Sequence, residues 1–235
     1  MRILIISDIH ANIESLEAIK EEYDYLLCLG DLVDYGPSPR ECIDFVKKNA
    51  HAVIRGNHDS AVAFRTDCKC SAAYKMMSVK TRELMWNILE EGEINYLGSL
   101  PLNRVVELGG GRFFLTHATP TDNLFKYIPP DSPDYIWRQE IEGLDADFVL
   151  LGHTHVSMIK RIDRTTIINP GSVGQSKDIP AKASYAIWND GDVEIKRVTY
   201  NINKTIEKIL STPLDIHIKS SLVTVLEHGN LNNPL

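Results

Sequence analysis

Five short apolar runs in this chain each lead directly into acidic, amide or imidazole side chains, and this repeated pattern constrains the fold most strongly. Apolar runs of this length, bounded by turn residues, are typical of buried β-strands. In α/β proteins, ligands bind in the crevice outside the carboxyl ends of the strands. The pattern therefore predicts an α/β fold with a functional site where the strands end. The runs occupy residues 2–6, 25–29, 52–54, 112–116 and 147–151.

The densest polar cluster is the pentapeptide Arg55-Gly56-Asn57-His58-Asp59, which follows the run at 52–54. Its glycine permits a backbone turn that other residues resist. Asn57 offers a carbonyl oxygen, His58 an imidazole, and Asp59 a carboxylate that could orient that imidazole. Alone, such a pentapeptide could be a polar loop. The other strand ends carry the same residue types, however, and this favours a functional interpretation.

The polar residues at the strand ends form one set of oxygen and nitrogen donors. Five of the eight histidines in the protein belong to this set. The other three, His51, His217 and His228, lie in helical or helix-end contexts, and we interpret them as structural. The members of the set are Asp8, His10, Asp31, Asn57, His58, His117, His153 and His155.

The chemistry of these donors points to divalent metal ions. The set contains no thiolate, which favours Mn, Fe, Zn, Co or Ni over a soft metal or a structural zinc site. The donors are too numerous for one tetrahedral ion that keeps an open position. Two ions about 3.5–4 Å apart that share a carboxylate fit the number better. Such a pair stabilises the attacking and leaving oxygens of an in-line displacement at phosphorus.

The order of the predicted elements indicates two packed sheets flanked by helices. Strands and helices alternate in the first part of the chain, and the later part is rich in strands. A length of 235 residues suits one large α/β domain, so we expect a single domain over 1–235. Residues 60–100 read as helical and 118–146 as irregular. Two helices, 203–210 and 213–228, follow the last strand.

Several helix ends carry recognisable signals. Asn12 stands where the first helix would have its N-cap, with substrate contact as the alternative role. Ser38, followed by a proline and by Glu41, predicts a capping box at the second helix. Thr212 and the proline after it would begin the last helix, and Gly229 would end it.

Composition narrows the function further. The net charge of −7 argues against a broad basic face for nucleic acid, and an acidic protein that handles phosphates needs metal ions to offset its charge. No apolar stretch approaches the length of a membrane span. Of the four cysteines, Cys28 and Cys42 read as core thiols, while a metal or redox role stays open for Cys68 and Cys70. Nothing indicates a disulfide scaffold, so we expect a reducing cytoplasm.

The motifs, taken in chain order, resemble those of the calcineurin-like metallophosphoesterases: Asp-x-His, Gly-Asp-x-x-Asp, Gly-Asn-His-Asp, a lone His, and Gly-His-x-His. The resemblance extends from Arg2 to about Gly174, and the full set is highly specific. Residues 7–12, 29–37 and 169–174 look like the small prokaryotic branch of phosphodiesterases and phosphatases. The resemblance implies a four-layer α-β-β-α sandwich, with two packed mixed sheets flanked by helices.

The resemblance also implies a role for each residue of the motifs. Asp31 would bridge two ions, and a metal-bridging hydroxide would attack phosphorus in line. His58 would protonate the leaving oxygen, with Asp59 or Asp34 as the orienting carboxylate. Ala118 departs from the family pattern, in which many members have glycine after the lone histidine. One ion would be held by Asp8, His10 and His155, and the other by Asn57, His117 and His153.

The resulting prediction is a two-metal phosphoesterase, most simply with Mn²⁺, acting on phosphodiesters or phosphomonoesters. A dinucleoside polyphosphate hydrolase and a non-catalytic metal-binding scaffold for a protein partner remain as alternatives. The expected partner is a small phosphate ester, with a nucleotide as one option; neither a membrane nor a nucleic acid is expected. Segment 118–146 should overhang the site. The candidate substrate contacts are Tyr35, Arg55, Lys126, Tyr127, Trp137 and Arg138.

Overall fold

The protein is described by a computed structural model over residues 1–231. A 3₁₀ turn at Ala72–Tyr74 precedes the fourth of the helices. The strands are β1 (Arg2–Ile6), β2 (Tyr25–Cys28), β3 (Ala52–Val53), β4 (Asn103–Leu108), β5 (Gly111–Thr116), β6 (Phe148–Leu150), β7 (Met158–Ile162), β8 (Thr165–Asn169), β9 (Lys182–Asn189) and β10 (Asp192–Thr199). The helices are α1 (Ile13–Glu17), α2 (Pro39–Asn49), α3 (Asn57–Phe64), α4 (Lys75–Ile88), α5 (Glu91–Ser99), α6 (Asp134–Glu140), α7 (Ile202–Ser211) and α8 (Ile216–His228).

The strands form two mixed sheets of five strands each. The first sheet has the order β10-β9-β1-β2-β3, and the second has the order β4-β5-β6-β8-β7. In the first, β1, β2 and β3 run parallel while β9 is antiparallel to β1. In the second, β5, β6 and β8 run parallel. Each sheet therefore has a parallel centre, whose strands end at a common edge.

Alternation along the strands decides which side chains enter each layer. Ile3 and Ile5 face the second sheet and pack with Phe113 and Trp188, whose rings lie 5.4 Å apart. Leu4 and Ile6 point to the opposite face, against the helices. Residues 3–6 of β1 are consequently all apolar and buried on both sides of the sheet, as is typical of a central parallel strand.

Helices cover the outer face of both sheets. Helices α1, α2 and α4 pack on the first sheet, and Trp137 of α6 is buried against Val149 and Ile167 of the second. The predicted α/β architecture, with two packed mixed sheets flanked by helices, is confirmed. Within residues 1–231, none of the helices is both long and apolar enough to cross a bilayer.

Of the four predicted helix-end signals, two are confirmed and two are wrong. Asn12 accepts a hydrogen bond from the Ser15 backbone N–H, as expected of an N-cap. The capping box at Ser38 is wrong, because its hydroxyl makes no cap bond and instead accepts from Lys208 Nζ at 3.1 Å. The predicted start of the last helix at Thr212 is also wrong: the cap is Asp215, while Gly229 ends the helix with φ of 75°.

Candidate metal centre

The predicted donors come together at the edge where the parallel strands of both sheets end. Strands β1, β2 and β3 of the first sheet and β5 and β6 of the second each deliver part of the set. All eight donors are buried except His153, which is half-buried. Their side chains form two neighbouring groups that meet at Asp31.

The first group joins the ends of β1 and β6. His155 Nε2 lies 3.1 Å from His10 Nε2 and 3.3 Å from Asp8 Oδ1. His10 Nε2 lies 3.9 Å from the same Asp8 oxygen and 3.8 Å from Asp31 Oδ2. The ligand atoms of Asp8, His10 and His155 are thus close enough to share one ion.

The second group joins the ends of β2, β3, β5 and β6. His117 Nε2 lies 3.2 Å from Asp31 Oδ2 and 3.0 Å from Asn57 Oδ1. His153 Nδ1 lies 3.2 Å from the same amide oxygen. The Asn57 amide is fixed by its nitrogen, which donates to the Cys68 carbonyl at 2.8 Å. Asp31 Oδ2 therefore faces imidazoles of both groups.

Backbone carbonyls orient three of the imidazoles. Nδ1 of His10 lies 3.2 Å from Val33 O, and Nδ1 of His117 lies 2.7 Å from Leu29 O. Nδ1 of His155 similarly lies 2.8 Å from the carbonyl of Gln175. A ring whose Nδ1–H donates to a carbonyl keeps its Nε2 lone pair free, and metal-ligating histidines commonly use this arrangement.

The donor set fits divalent cations on its own chemistry. The Nε2 lone pairs of His10 and His155 face each other, and a cation between them would turn this repulsion into attraction. Asp8 Oδ1 is buried and has no hydrogen-bond partner among residues 1–231, although Oδ2 accepts from the His153 backbone N–H. Buried polar atoms are normally satisfied, so an orphaned carboxylate oxygen beside imidazoles is expected where a metal binds.

The electrostatics of the site are dominated by burial and by contacts between its own members. Burial lowers the pKa of His153 to about 3, reinforced by the positive charge of His117, and burial also lowers the pKa of His10 and His155. Burial opposes protonation of His117 too, but the carboxylate of Asp31 outweighs it and raises that pKa to about 9. In the absence of a metal ion, the carboxylate of Asp31 favours a proton on His117. A divalent cation can supply that positive charge instead.

The backbone at the strand ends is strained. Asp8, His10, Asp31, His153 and His155 all hold left-handed conformations, with φ values of 54°, 45°, 54°, 65° and 59°. Such conformations are uncommon outside glycine and persist only where the surroundings enforce them, as at functional sites. The strain turns each side chain sharply out of its strand and toward the shared centre.

Two motif glycines allow the loops to approach the centre closely. A Cβ on Gly56 would lie 2.0 Å from Asp31 Oδ1, and one on Gly152 would lie 1.9 Å from Ser7 Oγ. Real Cβ atoms do not approach other atoms so closely, so both positions require glycine.

His58 lies beside the two groups and is held by a carboxylate. Its Nδ1 lies 2.7 Å from Asp34 Oδ2, and Asp34 also accepts a hydrogen bond from the Thr81 hydroxyl. Burial lowers the pKa of His58, but the charge of Asp31 and the bond to Asp34 outweigh it and raise the pKa to about 10. Of the two orienting carboxylates that the sequence allowed, Asp34 is therefore the one in contact with the imidazole.

Asp59 has a different position from the one proposed in the sequence analysis. Its carboxylate accepts hydrogen bonds from the backbone N–H groups of Asp31, Leu32 and Gly56 at 2.8–3.0 Å. Burial and the charge of Asp31 raise its pKa to about 6. With both oxygens bonded to backbone, Asp59 makes no contact with the His58 ring and instead fixes the loop that carries Asp31.

A cavity of about 410 Å³ opens next to the donors. Of the predicted substrate contacts, Tyr35 and Tyr127 line it. The other four do not. Arg55 bonds to Gly98 O, Lys126 pairs with Glu140, Arg138 pairs with Asp163 at the surface, and Trp137 lies in the core.

Part of the cavity wall was not predicted from the sequence. Lys69, Tyr74, Phe125 and Lys177 all line it, although none follows a strand or belongs to a motif. Cys70 lines it as well, and Cys68, with the other cysteines, is a free thiol. The Cys68 carbonyl supports Asn57, which gives this loop a structural link to the donors.

The chain is similar to known proteins of one family. Residues 1–190 match a family model described as a calcineurin-like phosphoesterase superfamily domain. An uncharacterised Methanocaldococcus jannaschii protein is 30% identical, with 90% of this chain and 93% of the relative covered. A metallophosphoesterase from Sphaerobacter thermophilus is 31% identical, with a TM-score of 0.79 and coverage of 94% and 98%. A hypothetical protein from Pyrococcus horikoshii, 20% identical, has the same fold, with a TM-score of 0.81 and coverage of 98% and 99%.

Proposed function

The chain belongs to the calcineurin-like phosphoesterase superfamily and is a metal-dependent phosphoesterase, and we propose that it acts with two divalent ions. Asp8, His10 and His155 would hold one ion, and Asn57, His117 and His153 the other. Asp31 would contribute to both. The observation that supports this most strongly is the position of Asp31 Oδ2, which lies 3.8 Å from His10 Nε2 and 3.2 Å from His117 Nε2.

The two ions would supply Lewis-acid polarisation of the phosphoryl group and an acidified water for in-line attack. The residues of the chain hold the reactants in place around that chemistry. Burial of the carboxylates and imidazoles excludes bulk water from the donor groups. The cavity beside them gives a phosphate ester access to the same edge.

His58 is proposed as the general acid. Its Nδ1 is bonded to Asp34, so Nε2 is the nitrogen free to deliver a proton to the leaving oxygen. His58 lines the cavity at the donor groups. Asp34 acts as a positioning residue, because it holds the ring and stabilises its charged form.

The donor chemistry supports Mn²⁺ as the first candidate, with Fe, Zn, Ni and Co as the others. The substrates proposed are phosphodiesters or phosphomonoesters, and dinucleoside polyphosphates are a narrower alternative that the aromatic side chains of the cavity favour. The complete set of donors with an intact His58 argues against a purely non-catalytic scaffold. Free thiols at all four cysteines suit a reducing cytoplasm.

Metal-restored hydrolysis tests this proposal. The purified protein is stripped with a chelator and assayed on bis(p-nitrophenyl) phosphate with added Mn²⁺, and a double variant, His58→Ala with Asp31→Ala, serves as the blank. We expect turnover to return with the metal in the unmodified protein alone. Absence of turnover with Mn²⁺, Zn²⁺, Co²⁺ and Ni²⁺ on both this diester and p-nitrophenyl phosphate would contradict the proposed reaction.

A further inference from the structure

Two pairs, each a lysine with an aromatic ring, line the cavity beside the donor groups. The Lys69 ammonium lies 4.1 Å from the centre of the Phe125 ring, and the Lys177 ammonium lies 5.5 Å from that of Tyr74. Such cation–π contacts are weak where solvent has access. They leave the donor N–H groups of both ammonium ions available to an anion.

Neither lysine has an acidic partner in the part of the chain that the structure describes. Within residues 1–231, no carboxylate lies within ion-pair distance of the Lys69 or Lys177 ammonium, whereas Lys126 nearby is paired with Glu140. Lys177 is also half-buried, and buried charges are ordinarily paired. A cavity wall with two unpaired cations, next to candidate metal ligands, is suited to a ligand that brings more than one negative charge.

Lys177 is close to the centre. Its backbone N–H donates to the His155 carbonyl at 3.2 Å, and its positive charge acts on the imidazole of His155. Lys177 also lines the same cavity as Asp31, Asn57 and His153. A substrate whose phosphoryl group is held at the donor groups would extend along this wall, where the Lys177 ammonium can meet its next group.

One aromatic ring of the cavity wall is exposed to solvent. The Tyr127 side chain is 51% exposed, and its ring lies 5.9 Å from that of His153. Large exposed rings beside a functional cavity commonly stack on a planar group of the ligand. The cavity volume of about 410 Å³ is within the range of small-molecule sites.

We propose that the cavity selects nucleotides carrying at least two phosphoryl groups, with the base on Tyr127 and the phosphoryl group next to the scissile one on Lys177. This assignment rests on the proposed function, since it takes the scissile phosphoryl group to lie at the donor groups. Lys69, which lines the same cavity, adds to its positive potential. Lys177 and Tyr127 are thus specificity-determining residues.

Calorimetric binding measures this selection without relying on turnover. The Mn²⁺-loaded His58→Ala protein is titrated with adenosine 5′-(α,β-methylene)diphosphate, with AMP and with ribose 5-phosphate. We expect the diphosphate analogue to bind about tenfold or more tightly than AMP, because it adds a charge-assisted contact. We expect AMP to exceed ribose 5-phosphate by about tenfold through stacking of the base.

Two substitutions should each abolish one of these two affinity preferences. In Lys177→Met, most of the preference for the diphosphate analogue over AMP should be lost, because the lysine charge is gone. In Lys177→Arg, which keeps a positive charge, most of that preference should remain. Tyr127→Leu should remove the AMP-to-ribose 5-phosphate ratio. Lys182→Met, which changes an exposed lysine outside the cavity, is the matched control and should keep both.

The outcomes separate this inference from the proposed function. Ratios that are unchanged in Lys177→Met and Tyr127→Leu would overturn the inference, even if the unmodified protein hydrolyses bis(p-nitrophenyl) phosphate. Ratios that collapse as expected would support it, even if that diester is not hydrolysed. In the second case, hydrolysis would be in doubt and the nucleotide subsite would stand.

Discussion

At the scale of single residues, His58 depends on the contacts behind it. Asp34 receives the imidazole Nδ1 on one side and the Thr81 hydroxyl on the other. All three side chains are buried, so the ring has one orientation and one nitrogen directed away from Asp34. This arrangement suits a residue that delivers a proton at a fixed place, and it makes the effect of removing His58 depend on the leaving group.

Replacing His58 by alanine should therefore slow hydrolysis of diesters with poor leaving groups far more than of nitrophenyl esters. General acid catalysis contributes about 10²–10⁴-fold, and nitrophenolate hardly needs protonation. The measurement is kcat for an alkyl p-nitrophenyl diester against that for a dialkyl diester, in His58→Ala and in the unmodified protein.

His51→Ala is the matched control for that comparison. His51 packs edge-on against Tyr25, with ring centres 4.8 Å apart, and precedes β3, whereas the donors follow their strands. Its removal should leave the dependence on the leaving group as it is. An equal loss on both substrates in His58→Ala, with the metals retained, would show that His58 is not the proton donor.

The candidate ligands were predictable from sequence because each follows an apolar run, and the strand ends then determine where it lies. Lys177 and Lys69 were not, since they lie in loops whose path depends on tertiary packing. Arg138 and Trp137 were misassigned because the packing of their helix, and not its sequence, decides which of its faces meets the cavity. They lie on faces of α6 that turn toward the surface and the core, and neither face meets the cavity.

At the scale of the elements, the start of α3 positions Asp31 through contact of the two backbones. A methyl group on Gly56 would lie 2.4 Å from the Asp31 backbone nitrogen as well as against its carboxylate. Gly56→Ala should therefore displace the β2 loop, lower the free energy of unfolding by about 1–3 kcal/mol, and reduce metal binding. Urea unfolding and metal analysis measure the two effects.

Gly92→Ala provides the matched control in α5. A Cβ at Gly92 meets nothing within 4 Å, and alanine is favoured over glycine inside a helix by about 0.5–1 kcal/mol. We expect this variant to be neutral or more stable, with its metal content intact. If Gly56→Ala were equally harmless, close approach of the two loops would not be required.

The order and type of the elements followed from hydrophobic period and length, whereas their exact ends did not. Ser38 is the N-cap of α2, as the residues around it predicted, but its hydroxyl accepts from Lys208 of α7 and makes no cap bond. Helix α8 begins later than expected because Thr212 is already the C-cap of α7. In both cases helix α7 is the cause: its Lys208 bonds to the Ser38 hydroxyl, and its own C-terminal end includes Thr212.

At the scale of the whole molecule, Asp178 links the two sheets. It accepts hydrogen bonds from the Ser157 hydroxyl and backbone N–H, just before β7, and from Arg197 of β10 at 2.7 Å. Burial opposes its ionisation, but these bonds and that of Ser176 outweigh burial and hold the pKa of Asp178 below its ordinary value. The ionised carboxylate is therefore the form that stabilises the fold.

Asp178→Asn should lower the free energy of unfolding at pH 7 by about 1–3 kcal/mol. Because the pKa is lower in the folded state, the stabilisation is present above the ordinary carboxyl pKa and is lost as the pH falls below about 4. The difference between variant and unmodified protein should therefore shrink on acidification, as measured by urea unfolding of the metal-stripped proteins.

Asp190→Asn is the control for a carboxylate that does not join the sheets. Asp190 pairs with the N-terminal ammonium at the surface, where such pairs contribute little. A difference between Asp178→Asn and the unmodified protein that persists unchanged at low pH would mean that the stabilisation does not come from the charge.

Metal stoichiometry is the most direct test of the central claim, which is that Asp31 is shared between two ions whose ligands come from both sheets. The measurement is the Mn²⁺ bound per chain after equilibration with excess metal and desalting, compared among the unmodified protein, Asp31→Ala and His155→Ala. The prediction is about two equivalents, with losses at both positions in Asp31→Ala and chiefly at one in His155→Ala. An Asp31→Ala protein that still holds two full equivalents would contradict the account.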